Sequence, residues 1–351
     1  MRPLAHGVTE YRKGGALPGY VLFSPANGRN SYLLDETGAI VHQWQLPGRL
    51  GNYAQFLDNG NILVTCHTPG DPKLSARGGR ILELDKESSI VWEFTDHLQH
   101  HDFNPTASGN VLYLAWELTP TGDAKRVKGG LPDSDHDDGG VYEDVLREVD
   151  RDGNLVWEWR LQDHFPYDKY PLRDNHNRHE FAHANACHVQ ADGNILVSFR
   201  SLSLVILVNR ETGGIDWEMQ DWTWGGQHDP HRLDNGNILI FANGSEQTRP
   251  EFSRILEIDP DSREVVWMYK GDPTSTFFSA RISSAERLPN GNTFIDEGLH
   301  GRLFEVTPGG GIVWEYISPF YFADPQMGHS NRIFRARKYA RDDPRLKEVL
   351  G

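Results

Sequence analysis

The stretch ILEIDPDSREVVWMY, Ile255–Tyr269, decides the fold. Two apolar runs, ILEI and VVWMY, flank a turn built from Asp, Pro, Ser and Arg, and such a pair reads as a hairpin. The same pattern recurs as YLLDETGAIVHQW, ILELDKESSIVWEF, LREVDRDGNLVWEW, VILVNRETGGIDWEM and LFEVTPGGGIVWEY. Its tryptophans are Trp44, Trp92, Trp157, Trp217, Trp267 and Trp314, whose spacings by subtraction are 48, 65, 60, 50 and 47.

A second unit precedes most of these: DNGNILVT, SGNVLYL, DGNILVSF, NGNILIF and NGNTFI. Asn-Gly and Asp-Gly between apolar runs mark hairpins, because both residues tolerate positive φ. Each repeat is then two hairpins, or four antiparallel strands A to D, at the period of a propeller blade. Six D strands predict an all-β, six-bladed β-propeller. The N-terminus supplies GYVLFSP, SYLLDE and AIVHQW, which are B, C and D without an A. HSNRIFRA, at 329–336, supplies the missing A, so pairing the two ends closes the ring and removes exposed edges. The chain reads as one domain, 1–351, with a C-terminal tail from 336 to 351 as a short surface helix. Two stacked β-sandwiches would explain the even tryptophan spacing less well.

The composition agrees with a turn-rich β protein: 351 residues, 38% hydrophobic, 35 glycines and ten tryptophans. A net charge of −15 disfavours nucleic acid and anionic membranes as partners. No apolar run is long enough to span a bilayer. The N-terminus MRPLAHGVTEYRKGGALPGYVLF has no continuous apolar leader. A cytoplasmic location is expected, or a periplasmic one if a leader has been removed. Cys66 and Cys187 do not form a disulfide framework.

Histidines gather at the starts of A strands. Counting back eight from each turn glycine gives Asn52, His101, Asn185, His228 and Ser283. His329 and Ser330 fall at a similar place before the closing strand. His100 and His183 lie beside this set, and His188 and His231 further into their strands. The ends of the B strands carry His67, Glu117, Arg200, Asn243 and Glu297. A and B form a hairpin, so both sets share one face, near the central axis. The long insertions, 117–144 and 162–182, map to the same face and read as a lid or pocket wall.

Imidazoles converging on a guanidinium suit a small anionic group with several oxygens. Arg offers a planar fork of donors, and His donates or attacks according to its protonation. A sulfuryl or phosphoryl site fits that description.

AHANACHVQADGNILVSFR, GQHDPHRLDNGNILIFANG and RLPNGNTFIDEGLHGRLFEVTPGGGIVWEY resemble the bacterial arylsulfate sulfotransferase family, from about Gly19 to Ile333. The resemblance implies a propeller enzyme that moves a sulfuryl group from an aryl sulfate to a phenol, by a ping-pong route and without a nucleotide donor. Carried over by motif, His228 of Gln-His-Asp would be the sulfurylated nucleophile. His183 and Arg200 would hold the sulfuryl oxygens, and His101 would complete the donors, with His100 as a substitute. His100, Asn185, Glu117, Asn243, Ser283 and His329 are the further candidates for contacting a small aromatic or anionic substrate.

No cofactor is expected, since no Gly-rich phosphate loop follows a strand and opens a helix. Two other functions remain open from the residues. The histidines could ligate a divalent metal in a hydrolase or lyase, or the propeller could bind a ligand without turnover. DSDHDDGGVYED, Asp133–Asp144, resembles a calcium loop, but a solvated acidic loop fits better, as its glycine is one place late. Cys187 reads as a buried strand residue rather than a thiolate nucleophile. Oligomeric state is not legible.

Overall fold

The computed structural model describes residues 5–136, 139–245, 250–324 and 328–351. Six sheets, each built on four antiparallel strands, form a six-bladed β-propeller. Blade 1 is Ile333–Ala340, Gly19–Pro25, Asn30–Leu34 and Ile40–Gln45, from the inner strand A to the outer strand D. Blade 2 starts with Leu50–Phe56, blade 3 with Gln99–Pro105, blade 4 with Ala184–Val189, blade 5 with His228–Arg232 and blade 6 with Ser284–Arg287.

The repeat has a physical cause on each strand. The Glu of the C strand is buried and accepts from the amides of the A–B turn. Glu83 takes Asn59 and Asn61 at 2.9 and 2.6 Å, and Glu257 takes Asn235 and Asn237 at 3.0 and 2.7 Å. A basic residue of the following blade offsets each buried carboxylate: Arg151 on Glu83 at 2.5 Å and Arg287 on Glu257 at 2.6 Å. The D-strand tryptophan then staples blade to blade. Its Nε1–H donates to a carbonyl in the next C–D turn: Trp92 to Arg151, Trp157 to Arg210, Trp217 to Pro260, Trp267 to Pro308 and Trp314 to Glu36, all at 2.8–3.1 Å. Blade 1 departs from this. There the Trp44 Nε1 has no partner among the described residues, and the His42 ring meets Lys86 O at 2.9 Å instead.

The apolar core lies between neighbouring blades as a series of layers. One cluster joins blades 3 and 4 around Trp159, Phe181 and Phe199, and another joins blades 6 and 1 around Phe23, Trp314 and Ile333.

The ring closes as expected, with Gly19–Pro25 pairing antiparallel to the C-terminal strand. That strand is Ile333–Ala340, so it runs past the tail boundary expected at 336. The remaining tail forms helical turns at Pro344–Leu346 and Lys347–Leu350, with Leu346 buried against blades 1 and 2. An unforeseen strand, Gly7–Tyr11, pairs with Ile312–Ile317 and makes blade 6 five-stranded. The two insertions pack on each other: Leu172 N–H donates to Lys128 O at 2.9 Å, and Tyr142 N–H to His179 O at 2.9 Å. Among the described residues no helix is long and apolar enough to cross a membrane.

Candidate functional site

The A-strand starts and B-strand ends surround a pocket of about 360 Å³ at one mouth of the channel. His101, His183, His228 and Arg200 all line it, brought together from blades 3, 4 and 5. The His101 and His183 rings meet edge to face, 4.7 Å between centroids. His101 and His183 hold φ of +50° and +64°, a left-handed backbone that costs a non-glycine residue about 1 kcal/mol or more. Hydrogen bonds hold this strain in place. His101 N–H donates to Ala76 O at 2.9 Å, and Asp144 Oδ2 accepts from the amides of Ala182 and Ala184 at 3.0 and 2.9 Å.

Each imidazole has an assigned neighbour. Burial would raise the Glu180 carboxyl, but the His183 ring holds it down to about 2. Glu180 is therefore a carboxylate and accepts from His183 Nδ1–H at 2.7 Å, which leaves Nε2 for the pocket. His228 Nδ1 lies 2.7 Å from Asn243 Oδ1. Asn243 Nδ2 donates to Ser279 O and Ile282 O at 2.8 and 3.1 Å, so its oxygen must face the ring. His228 thus carries its proton on Nδ1 and its lone pair on Nε2, where Ile282 N–H donates at 3.1 Å. Burial first, and then Arg200, lower His228 to about 3. Burial, with His183 and His100 adding to it, drives His101 well below the usual histidine range. His228 and His101 are accordingly neutral at pH 7.

Arg200 is fixed by its backbone, whose N–H donates to His183 O at 2.9 Å. Gly226 makes room for its side chain: a Cβ there would stand 3.2 Å from Arg200 Cγ.

The other candidates fall outside the pocket lining. His100 lies behind His101, Nδ1 to Nδ1 at 2.8 Å, and stacks on Trp116. Asn243 backs His228, and Asn185 Nδ2 donates to the carbonyl of the preceding Gln227 at 2.7 Å. Glu117 is taken by Arg160. Ser283 Oγ bonds Ser279 Oγ at 2.9 Å and Gly298 N–H at 3.0 Å. His329 is exposed on Gly328–Ser330, which pairs with Phe322–Asp324, because the closing strand starts at Ile333 and not beside His329. For the first five the strand position was legible but the side-chain direction was not; for His329 the strand position itself differs.

His188 and His231 sit deeper, the first 3.2 Å from Asp229 Oδ1, the second 3.0 Å from Asp229 O. Cys187 is buried in its strand, and burial pushes its thiol well up, away from thiolate. Part of the acidic loop, Asp137 and Asp138, lies outside the described residues. Among the described residues no group of three or more His, Cys, Asp or Glu is placed to hold a metal ion.

Several residues escaped sequence reasoning. Glu180 lies in an insertion with no repeat to align it. Arg49, Arg77, Arg281 and Arg332 also line the pocket. Beneath it Arg335, on the closing strand, donates to Asp102 Oδ1 and Tyr53 Oη, both at 2.9 Å, and forms an ion pair with Asp229 Oδ1 at 3.2 Å. Asp102 directly follows His101, and Asp229 directly follows His228, so one buried guanidinium ties both site strands to the closure.

Residues 53–319 match the family model described as Arylsulfotransferase (ASST). A comparison with curated proteins returned no significant match. Among solved structures, a protein of unknown function from Bacteroides caccae is 13% identical, with a TM-score of 0.57 over 92% of this chain and 98% of that one. A streptogramin B lyase is 13% identical, with a TM-score of 0.51 over 95% and 93%. A protein from Lactobacillus plantarum is 11% identical, with a TM-score of 0.50 over 92% and 100%. At these identities the likeness is one of fold alone.

Proposed function

The chain belongs to the arylsulfotransferase family, and from that premise we propose that it transfers a sulfuryl group from an aryl sulfate to a phenolic acceptor through a sulfo-histidine at His228. The observation that carries this reading is the His228 ring: neutral, with Nδ1–H committed to Asn243 and the lone pair on Nε2, in a pocket shared with Arg200. A neutral imidazole nitrogen attacks sulfur, and its cationic sulfo form is a fair leaving group.

In the first half-reaction Nε2 forms a bond to sulfur, and the arylate departs with the electrons of the S–O bond. Arg200 faces the sulfuryl oxygens, with the His101 and His183 rings beside it. The Ile282 N–H, 3.1 Å from Nε2, passes to one of those oxygens as the lone pair is consumed. A phenolate then attacks sulfur, and the N–S electrons return to Nε2. The reading needs no cofactor. The metal alternative has less support, since the described residues offer no ligand group.

A chromogenic aryl sulfate with a phenol acceptor tests this. Arylate release is expected from the native protein and not from His228→Ala at equal folded content. No release across a broad panel of donors would overturn the reading.

A further inference from the structure

The transfer step uses Arg200 and three imidazoles, yet the same pocket holds a second group of cations, Arg49, Arg77, Arg281 and Arg332, with the His67 ring beside them. They crowd one another. Burial lowers Arg332, Asp324 opposes that, and Arg281 and Arg49 press it further down; His67 is lowered by burial and then by Arg49 and Arg77. Among the described residues the one lining carboxylate, Asp324, pairs with Arg332 at 2.6 Å.

Arg77 is the most telling member. It is only 5% exposed, donates from Nη2 to Pro72 O at 2.6 Å, and its Nη1 has no partner among the described residues. Neither Arg77 nor Arg49 forms an ion pair among the described residues. Elsewhere this acidic chain pairs its arginines readily, as Arg151 with Glu83 and Arg210 with Glu148 at 2.5 Å each. Asp71 offsets part of the Arg77 charge, but a buried guanidinium with no direct ion-pair partner still costs free energy that a bound anion recovers.

We propose that Arg49, Arg77, Arg281 and Arg332 form a second anion subsite, so that the preferred aryl substrate carries an oxyanion group (carboxylate, phosphate or a further sulfate) away from its reacting oxygen. The word aryl rests on the transferase reading; the subsite itself does not. Calorimetry with two sulfonates that cannot transfer separates the two. At about 0.1 M salt, 4-sulfobenzoate should bind the native protein about tenfold or more tighter than benzenesulfonate, the worth of one charge-assisted contact. That ratio should fall toward one in Arg49→Gln and in Arg281→Gln, neither of which is fully buried, so both tolerate change. Equal binding of the two sulfonates by the native protein, or a ratio that survives both substitutions, overturns the subsite. Turnover of 4-nitrophenyl sulfate and 4-sulfooxybenzoate is read in parallel. Hydrolysis or transfer of neither, with the binding ratio intact, defeats the transferase reading and leaves the subsite standing. Turnover of both at equal kcat/KM, without a binding ratio, does the reverse.

Discussion

Replacing Arg335 with Met should damage both stability and the site, and the structure gives the size. The side chain is 2% exposed and meets Asp102, Asp229 and Tyr53. Asp229 would retain Arg337 at 2.9 Å, but Asp102, fully buried, would lose its only ion-pair partner among the described residues. Breaking one side of a buried pair costs about 3–5 kcal/mol, a drop in Tm of about 4–7 °C for a chain of this size. Urea unfolding followed by tryptophan fluorescence measures it. Adding Asp102→Asn removes the stranded charge and should return about 1–3 kcal/mol, though not the whole loss, because Asp102 also accepts from Cys187 N–H at 2.8 Å and Phe103 N–H at 2.9 Å. A loss under about 1 kcal/mol for Arg335→Met, or strictly additive effects in the double variant, would refute the idea that this guanidinium ties the site strands to the closing strand.

Gly226→Ala puts a methyl 3.2 Å from Arg200 Cγ at a φ of +79°; folding should lose about 1–2 kcal/mol, and kcat/KM for an aryl sulfate should fall roughly tenfold to a hundredfold as the guanidinium shifts. Unchanged kinetics would show that Arg200 does not depend on this cleft. Acid should destabilise the fold in two windows. Burial holds His100 and His228 at about 3 and His231 at about 4. The unfolded chain therefore binds more protons below about 6.5, and Tm should fall as pH drops from about 7 to 5. Asp229, depressed by Arg335 and Arg337 against its burial, contributes stability present above about pH 4 and lost as pH falls through its folded value. A Tm flat between about pH 7 and 5 would contradict the buried, neutral histidines.

The repeat was legible because each of its signals does a structural job visible from one blade to the next. Trp92, Trp157, Trp217, Trp267 and Trp314 staple neighbours, and Glu83 and Glu257 hold the A–B turns. The count from the turn glycine found His101 and His228 because register in a hairpin is fixed by its turn. It could not tell which neighbours face the pocket. The A strands bulge just past their starts, between His228 and His231 for example, and a bulge redirects the side chains that follow. Asn185, at the bulge between Ala184 and Ala186, and Ser283, just outside its strand, support the site from behind. Glu180, Ile282 and the arginines from Arg49 to Arg332 come from loops and the closing segment, which carry no periodic signal. The strand Gly7–Tyr11 was missed for the same reason: it belongs to no repeat and only covers an edge.

Sulfurylation of His228 is the step on which the proposed transfer turns. Intact-protein mass spectrometry during turnover of an aryl sulfate, with no acceptor added, tests it directly. One added sulfuryl group is expected, mapped to His228, discharged by a phenol and absent from His228→Ala. Turnover with no adduct at any time, or an adduct that persists in His228→Ala, would contradict it.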